Sequence, residues 1–133
     1  MLTIRCGGEP PEIELAAAPE EFERLAASID DLVASDAAEI LVEAASRSPE
    51  PYELCLSGLR VVKATALLSV SVTGSVLSIV GHPKFLALIA RNLPVESVLP
   101  AGYHVHFEAT GREDVMSPSS TPLVLLVEGD PAA

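Results

Sequence analysis

The chain has little of what usually concentrates binding energy or carries out catalysis. Its 133 residues include no tryptophan, two tyrosines, three phenylalanines and three histidines. Aromatic side chains supply many hot spots of protein interfaces, so an aromatic content of 4% argues against an interface anchored by large rings. Eight basic residues stand against 19 acidic ones, which gives a net charge of −11. Because nucleic-acid binding depends on neutralising phosphates with Lys and Arg, this balance argues against nucleic-acid and anionic-membrane partners.

Familiar catalytic and cofactor motifs are also missing from the sequence. It contains no phosphate-binding glycine loop, no His-Glu-x-x-His, no Cys-x-x-Cys and no Gly-x-Ser-x-Gly elbow. We therefore expect no cofactor and no enzyme of a familiar class. Serines in the connection over residues 117–120 could act as nucleophiles in principle, but serine is common in such connections.

Cysteine usage and the absence of long apolar segments indicate the compartment. Cys6 and Cys55 are far apart in sequence and are expected to be reduced, small apolar residues. The first residues lack the basic start and apolar run of a signal peptide. Residues 59–80 are rich in apolar side chains, but their charges and alternating hydroxyls argue against a membrane span. These features predict a cytoplasmic protein.

The hydrophobic content of 49% indicates a folded chain with an aliphatic core. Its length suits one domain over residues 1–133, which can bury about two thirds of the surface of the unfolded chain. Apolar periodicity predicts strands over residues 2–6 and 12–16 and a helix that begins at Pro19. Residues 38–45 fit either a strand or a second helix. A strand over residues 52–56 completes the first half, and residues 57–66 form a linker to the second half, either irregular or itself extended.

The second half has a clearer pattern. Alternating residues predict a hairpin of strands 68–73 and 76–80 that turns at Gly74 and Ser75. A helix through Leu93 follows, and its apolar residues surround much of its circumference, so we expect it to be more buried than the first helix. Strands are predicted over residues 103–109 and 123–127, the latter a central one. The tail over residues 129–133 is expected to fray.

The two halves match one another at about 64 residues of offset. Pro19 aligns with Pro83, and the apolar residues of one predicted helix align with those of the other. This match favours a strand for residues 38–45. It predicts an α+β fold of duplicated ββαββ units, repeat 1 over about 2–56 and repeat 2 over about 67–128, with a largely antiparallel sheet and the helices packed on one face.

Acidic residues concentrate before residue 51, which could attract a basic partner by electrostatic steering or could only form a solvated face. Candidate partner-binding residues on the predicted exposed side of the first helix are Glu20, Glu23, Asp30 and Asp31. A second candidate surface follows from the run Tyr103, His104, Val105, His106, Phe107 and Glu108. Period-two geometry places His104, His106 and Glu108 on one face of a strand, either as solvent-facing residues or as ligands of a metal ion such as zinc.

The second half resembles the immunity protein 32 family of bacterial polymorphic toxin systems. The resemblance covers about residues 67–128, and it rests on a short series of motifs in order: Leu77 to Pro83, a helix through Leu86, Ile89 and Ala90, His104 to Glu108, and Ser119-Ser120 before Leu123. It implies a binding module that neutralises a cognate protein toxin, for which an acidic protein would suit a basic nuclease. The alternatives are a homodimeric structural or regulatory module that associates through its second helix and a small metal-dependent enzyme.

Overall fold

The computed structural model describes residues 1–129, so the expected frayed tail, apart from Gly129, lies outside the described residues. Within that range the chain is an α+β protein with two helices and two mixed sheets. The helices are α1 (Pro19–Ala34) and α2 (Pro83–Asn92). The strands in chain order are β1 (Thr3–Gly7), β2 (Glu12–Ala17), β3 (Glu39–Glu43), β4 (Leu54–Leu56), β5 (Gly58–Lys63), β6 (Ser69–Thr73), β7 (Val76–Gly81), β8 (His104–Phe107) and β9 (Leu123–Val127).

Both predicted helices and the hairpin of the second half are confirmed. The hairpin turns at Gly74, whose φ of 62° is a left-handed conformation that glycine adopts without strain. The ambiguous segment over residues 38–45 forms the strand β3. In α2 every residue from Phe85 to Ala90 is buried or half-buried, whereas α1 is exposed along one side. Neither helix described for residues 1–129 has the length and apolarity needed to cross a membrane.

The segment predicted as a linker over residues 57–66, with an extended conformation left open, is largely a strand. This segment contains β5, which lies inside a sheet between β3 and β7. Its inward residues Leu59 and Val61 are buried, while Arg60 faces solvent, so it alternates as a strand should. The predicted fourth strand is shortened to three residues and lies at the edge of the other sheet.

The two halves exchange strands between the sheets. The five-stranded sheet has the order β4-β1-β2-β9-β8, and the four-stranded sheet has the order β3-β5-β7-β6. Each sheet thus joins a hairpin from one half to strands from the other, through the parallel pairs β2–β9 and β5–β7. The remaining pairs are antiparallel. The sequence predicted a largely antiparallel sheet, whereas the described chain has two sheets, each of them mixed because it contains one parallel pair.

The two sheets also follow one pairing scheme. In the two hairpins Thr3 pairs with Ala16, and Ser69 pairs with Val80. In the two parallel pairs Ile13 is opposite Leu123, and Leu77 is opposite Leu59. In the two outer pairs Ile40 is opposite Val61, and Val105 is opposite Leu125. In each comparison, a residue pair of one sheet corresponds to a residue pair of the other sheet, and the corresponding residues lie about 64 positions apart in the sequence.

One aliphatic core holds both sheets and both helices together. It takes alternate residues from the strands, such as Ile4, Leu15, Val70 and Ile79, together with the buried sides of the helices. The helices pack against one another, with α1 also near β3 and α2 near β7. Buried aromatic rings are few, as the composition predicts, and Phe22 and Phe107 are the fully buried ones in the described chain.

The carboxyl end of α1 is stabilised by a lysine of strand β5. The last turn of α1 contains no basic residue. The ammonium group of Lys63 in β5 donates hydrogen bonds to the backbone carbonyls of Leu32 and Ser35, at 3.0 and 2.6 Å. Carbonyls at the end of a helix lack helical partners and carry partial negative charge, so this cation stabilises them.

We predict that Lys63→Met lowers the free energy of unfolding by about 1–2 kcal/mol, because it leaves these carbonyls without a charged donor. Urea denaturation followed by circular dichroism measures the change. Lys84→Met, at an exposed lysine of α2, is the matched control and should cost less. Equal losses in the two variants would contradict the role of Lys63.

Thr3 is fully buried, and its hydroxyl has no hydrogen-bond partner within the described chain. A buried unpaired hydroxyl opposes folding, because water satisfies it in the unfolded state. We predict that Thr3→Val raises the free energy of unfolding by about 1 kcal/mol. Thr3→Ser keeps the hydroxyl and removes a buried methyl group, so it should lower stability by about 1 kcal/mol. The same order of stability in thermal and urea unfolding checks both changes; a destabilised valine variant would show that the hydroxyl is bonded.

Candidate functional site

The four acidic residues predicted on the first helix lie together on its exposed side. Glu20, Glu23, Asp30 and Asp31 are all exposed. The opposite side of α1 buries Phe22, Leu25, Ile29 and Leu32 in the core. The helical spacing of the apolar residues therefore fixes where the carboxylates point. We call Glu20, Glu23, Asp30 and Asp31 the acidic helix surface.

None of the ion pairs described for residues 1–129 uses a carboxylate of the acidic helix surface. The ion pairs of that region use other carboxylates: Glu21 with the amino group of Met1, Glu14 with Arg5, Glu39 with Arg60 and Glu128 with Arg47. α1 contains one basic residue, Arg24, and its side chain is exposed. Four unpaired carboxylates on one rigid helix give a concentrated negative potential that a basic partner would experience at a distance.

Glu21, which also lies at the start of α1, forms contacts within the protein and is not part of the acidic helix surface. Its carboxylate accepts a hydrogen bond from the backbone N–H of Ala18, which closes one side of a capping box. Burial alone would raise the pKa of Glu21, but the hydrogen bond from the Met1 ammonium group, the bond from Ala18 and the nearby charge of Arg24 together lower it. The carboxylate therefore stabilises the folded state at neutral pH, and this contribution is lost as the pH falls through the lowered pKa.

The histidine surface lies on the edge strand β8. His104 and His106 are both exposed on one face, with ring centroids 5.2 Å apart in an edge-to-face arrangement, and Tyr103 precedes them with 42% of its side chain exposed. The predicted common face of the two histidines is confirmed. Glu108 follows the end of the strand. Within residues 1–129 no group of three histidine, cysteine, aspartate or glutamate side chains is placed to hold a metal ion.

The acidic helix surface and the histidine surface are separate. No hydrogen bond or ion pair in the described part of the chain joins residues of one to residues of the other. A shallow cleft of about 290 Å³ lies between the start of α1 and the loop before β8, and it brings Glu20 near Leu99 and Ala101. The remaining three acidic residues do not line it. The structure thus offers two candidate contact surfaces and not one combined site.

Sequence reasoning missed an open strand edge next to α1. β3 is an edge strand of the four-stranded sheet, and Leu41 at its centre is 70% exposed. A cleft of about 260 Å³ lies where β3 meets α1; it is lined by Met1, Leu2, Glu21, Arg24, Leu25, Ser28, Val42 and Glu43. The pattern Glu39-Ile40-Leu41-Val42-Glu43 predicts a strand in which Leu41 shares a face with two glutamates. Only the fold shows that the side chain of Leu41 is left largely exposed.

Comparison of the chain with known proteins does not indicate which of these surfaces binds a partner. No family model, no curated protein and no solved structure matches it.

Proposed function

We propose that this chain is a non-enzymatic, cytoplasmic immunity protein of a bacterial toxin system, which neutralises a cognate protein toxin by stoichiometric binding. The observation that carries the proposal is the acidic helix surface, a set of exposed carboxylates without ion-pair partners in residues 1–129. A basic toxin such as a nuclease would be attracted to it, and long-range attraction of this kind raises association rates. The resemblance of residues 67–128 to immunity protein 32 supports the same function.

The scaffold suits an inhibitor that acts by occupying a surface. The acidic helix surface stands on a helix whose other side is buried in the common core, so little conformational entropy is lost when the surface is covered. The histidine surface, with Tyr103, His104 and His106, is the alternative contact, because tyrosine and histidine combine apolar and hydrogen-bonding parts.

We also propose that the two halves are copies of one ββαββ unit. The shared pairing registers of the two sheets support this origin. So does the equivalent placement of the bonds Ala64 N–H to Gly81 carbonyl and Glu128 N–H to Ala17 carbonyl. In this arrangement the last strand of the first unit is β5, not β4, and the boundary between the units falls after residue 64.

The immunity hypothesis predicts protection of cells from a neighbouring toxin gene. The gene immediately upstream is expressed with and without this protein, and surviving cells are counted. We expect survival only when both are present, because a stoichiometric inhibitor must be made alongside its target. If the upstream product is harmless, or kills in both conditions, the proposed function is wrong for this gene pair.

The steering hypothesis predicts an effect of charge on the rate of association with that toxin. Glu23→Lys combined with Asp30→Lys should slow association about tenfold at low salt and flatten its salt dependence. Stopped-flow fluorescence measures the rate over a range of salt concentrations. Glu96→Lys combined with Asp114→Lys, two exposed acids in the second half, changes the net charge equally and is the control. Equal slowing by both double variants would mean that overall charge, not the acidic helix surface, attracts the toxin.

A further inference from the structure

The outer side of β3 presents unpaired backbone groups. β3 pairs with β5 so that Ile40 is opposite Val61 and Val42 is opposite Leu59, and the neighbouring bonds Lys63 N–H to Ala38 carbonyl and Ala44 N–H to Ser57 carbonyl fix which residues are bonded. Even-numbered residues therefore bond to β5, and the N–H and C=O groups of Glu39, Leu41 and Glu43 point away from it. Within residues 1–129 no hydrogen bond reaches the outward groups of Glu39 and Leu41. At the end of the strand Leu2 forms a parallel bridge with Ala44 and accepts a hydrogen bond from the N–H of Ala45 at 2.7 Å, so the first residues of the chain cover the outer side at the carbonyl of Glu43. We call the outward groups of Glu39 and Leu41, with the N–H of Glu43, the β3 edge.

The outer sides of two other edge strands, β6 and β8, are partly covered. In β6 the carbonyl of Val70 accepts a hydrogen bond from the N–H of Thr121, and the N–H of Val70 donates to the hydroxyl of Ser120 at 3.1 Å. The equivalent of β3 in the other sheet is β8, and there the guanidinium of Arg112 lies 4.3 Å from the centroid of the Phe107 ring and donates to the outward carbonyl of His106 at 3.4 Å. Arg47 precedes Arg112 by 65 residues, nearly the offset at which the two halves match, but Arg47 pairs with Glu128. β3 therefore lacks the protection that β8 has.

The β3 edge borders the cleft of about 260 Å³ formed with α1. Leu25 and Ser28 of the helix form one wall, and Val42 and Glu43 of the strand form the other. An extended segment bonded to β3 would fill this cleft. A groove between a strand edge and a helix is suited to β-augmentation, in which backbone bonds supply affinity and alternate side chains supply specificity.

Charge selects the kind of segment that this groove accepts. Glu39, Leu41 and Glu43 share the outer face of β3, and Glu39 already pairs with Arg60 at 2.6 Å. A second copy of the chain, paired antiparallel about Leu41, would place Glu39 of each copy opposite Glu43 of the other. Like charges directly opposite one another in a sheet are destabilising, whereas a lysine or arginine opposite Glu43 is favourable.

We propose that the β3 edge binds an extended segment of a basic partner protein by adding it as a further strand of the four-stranded sheet. The segment has an apolar residue opposite Leu41 and basic residues two positions to either side of it. This inference rests on the proposed function only in taking a basic protein as the partner.

The test uses a short peptide with blocked ends and the sequence Thr-Lys-Thr-Val-Thr-Lys-Thr, which places a lysine two positions to either side of a valine on one face of the strand and needs no knowledge of the toxin. Hydrogen exchange followed by NMR should show that the peptide protects the amides of Leu41 and Glu43, whereas those of Ile40 and Val42 are protected already. A peptide with the same side chains and N-methylated backbone should give no protection, because its charge is unchanged but its donors are removed. Protection located elsewhere, or binding of the N-methylated peptide with equal affinity, would overturn the proposal.

Variants of β3 make the test specific to this strand. Leu41→Pro removes an outward N–H without touching the bonds to β5, since proline is tolerated on the open side of an edge strand, and it should weaken peptide binding about tenfold or more. Val72→Pro at an outward, exposed position of β6, the opposite edge of the same sheet, is the matched control and should bind normally. If Leu41→Pro proves unfolded by circular dichroism, Leu41→Lys, compared with Val72→Lys on β6, replaces it with the same expected loss.

The outcomes separate this proposal from the proposed function. Peptide binding lost in the Leu41 variants supports the β3 edge whether or not the protein protects cells from the upstream toxin. Full protection of cells by Leu41→Pro, together with normal peptide binding, overturns the β3 edge and leaves immunity standing. A dimer in light scattering that disappears in Leu41→Pro would show that a second copy occupies the edge, which also overturns the proposal.

Discussion

Parallel pairing between strands of different halves is the interaction on which the rest of this structure depends. β9 lies beside β2, and β5 lies beside β7, so each sheet is completed by the opposite half of the chain. Without these pairs each hairpin would have an open inner side and an uncovered apolar face, which is marginal in water. The pairing brings the inner faces of both sheets and both helices into one core. The exposed side of α1 and the outer side of β3 are held in position by that core.

Local patterns were sufficient to predict most of the elements, because periodicity in a strand or helix is set by which side is buried. The hairpin over residues 68–80 and the helix beginning at Pro19 are examples. Partners between strands were not predictable in the same way. β5 alternates like the other strands, yet its place between β3 and β7 cannot be seen in that pattern, which fits an extended linker equally well. A pattern of alternation identifies faces, whereas sheet order depends on contacts between residues far apart in sequence.

The same distinction between local patterns and long-range contacts applies to the candidate site. The side of α1 that carries Glu23 and Asp30 followed from helical spacing, and the common face of His104 and His106 followed from strand alternation. That the two surfaces are separate, and that Lys63 caps α1, could not be derived, because both depend on how the elements are arranged in three dimensions. The exposure of the outer side of β3 also depends on tertiary structure: Arg112 donates to the carbonyl of His106 in β8, whereas Arg47 pairs with Glu128 and not with β3.

The exchange of strands between halves has a consequence for assembly during folding. β2 must pair with a strand that follows it by about 110 residues, from Ile13 to Leu123, and such non-local pairing slows folding. While it is delayed, β9 of a second molecule offers β2 the same surface, so domain swapping uses no contact that the monomer lacks. The connection between Lys63 and Ser69 is short. It would be the hinge of an exchange in which the two halves separate, and short hinges favour domain swapping when they are strained.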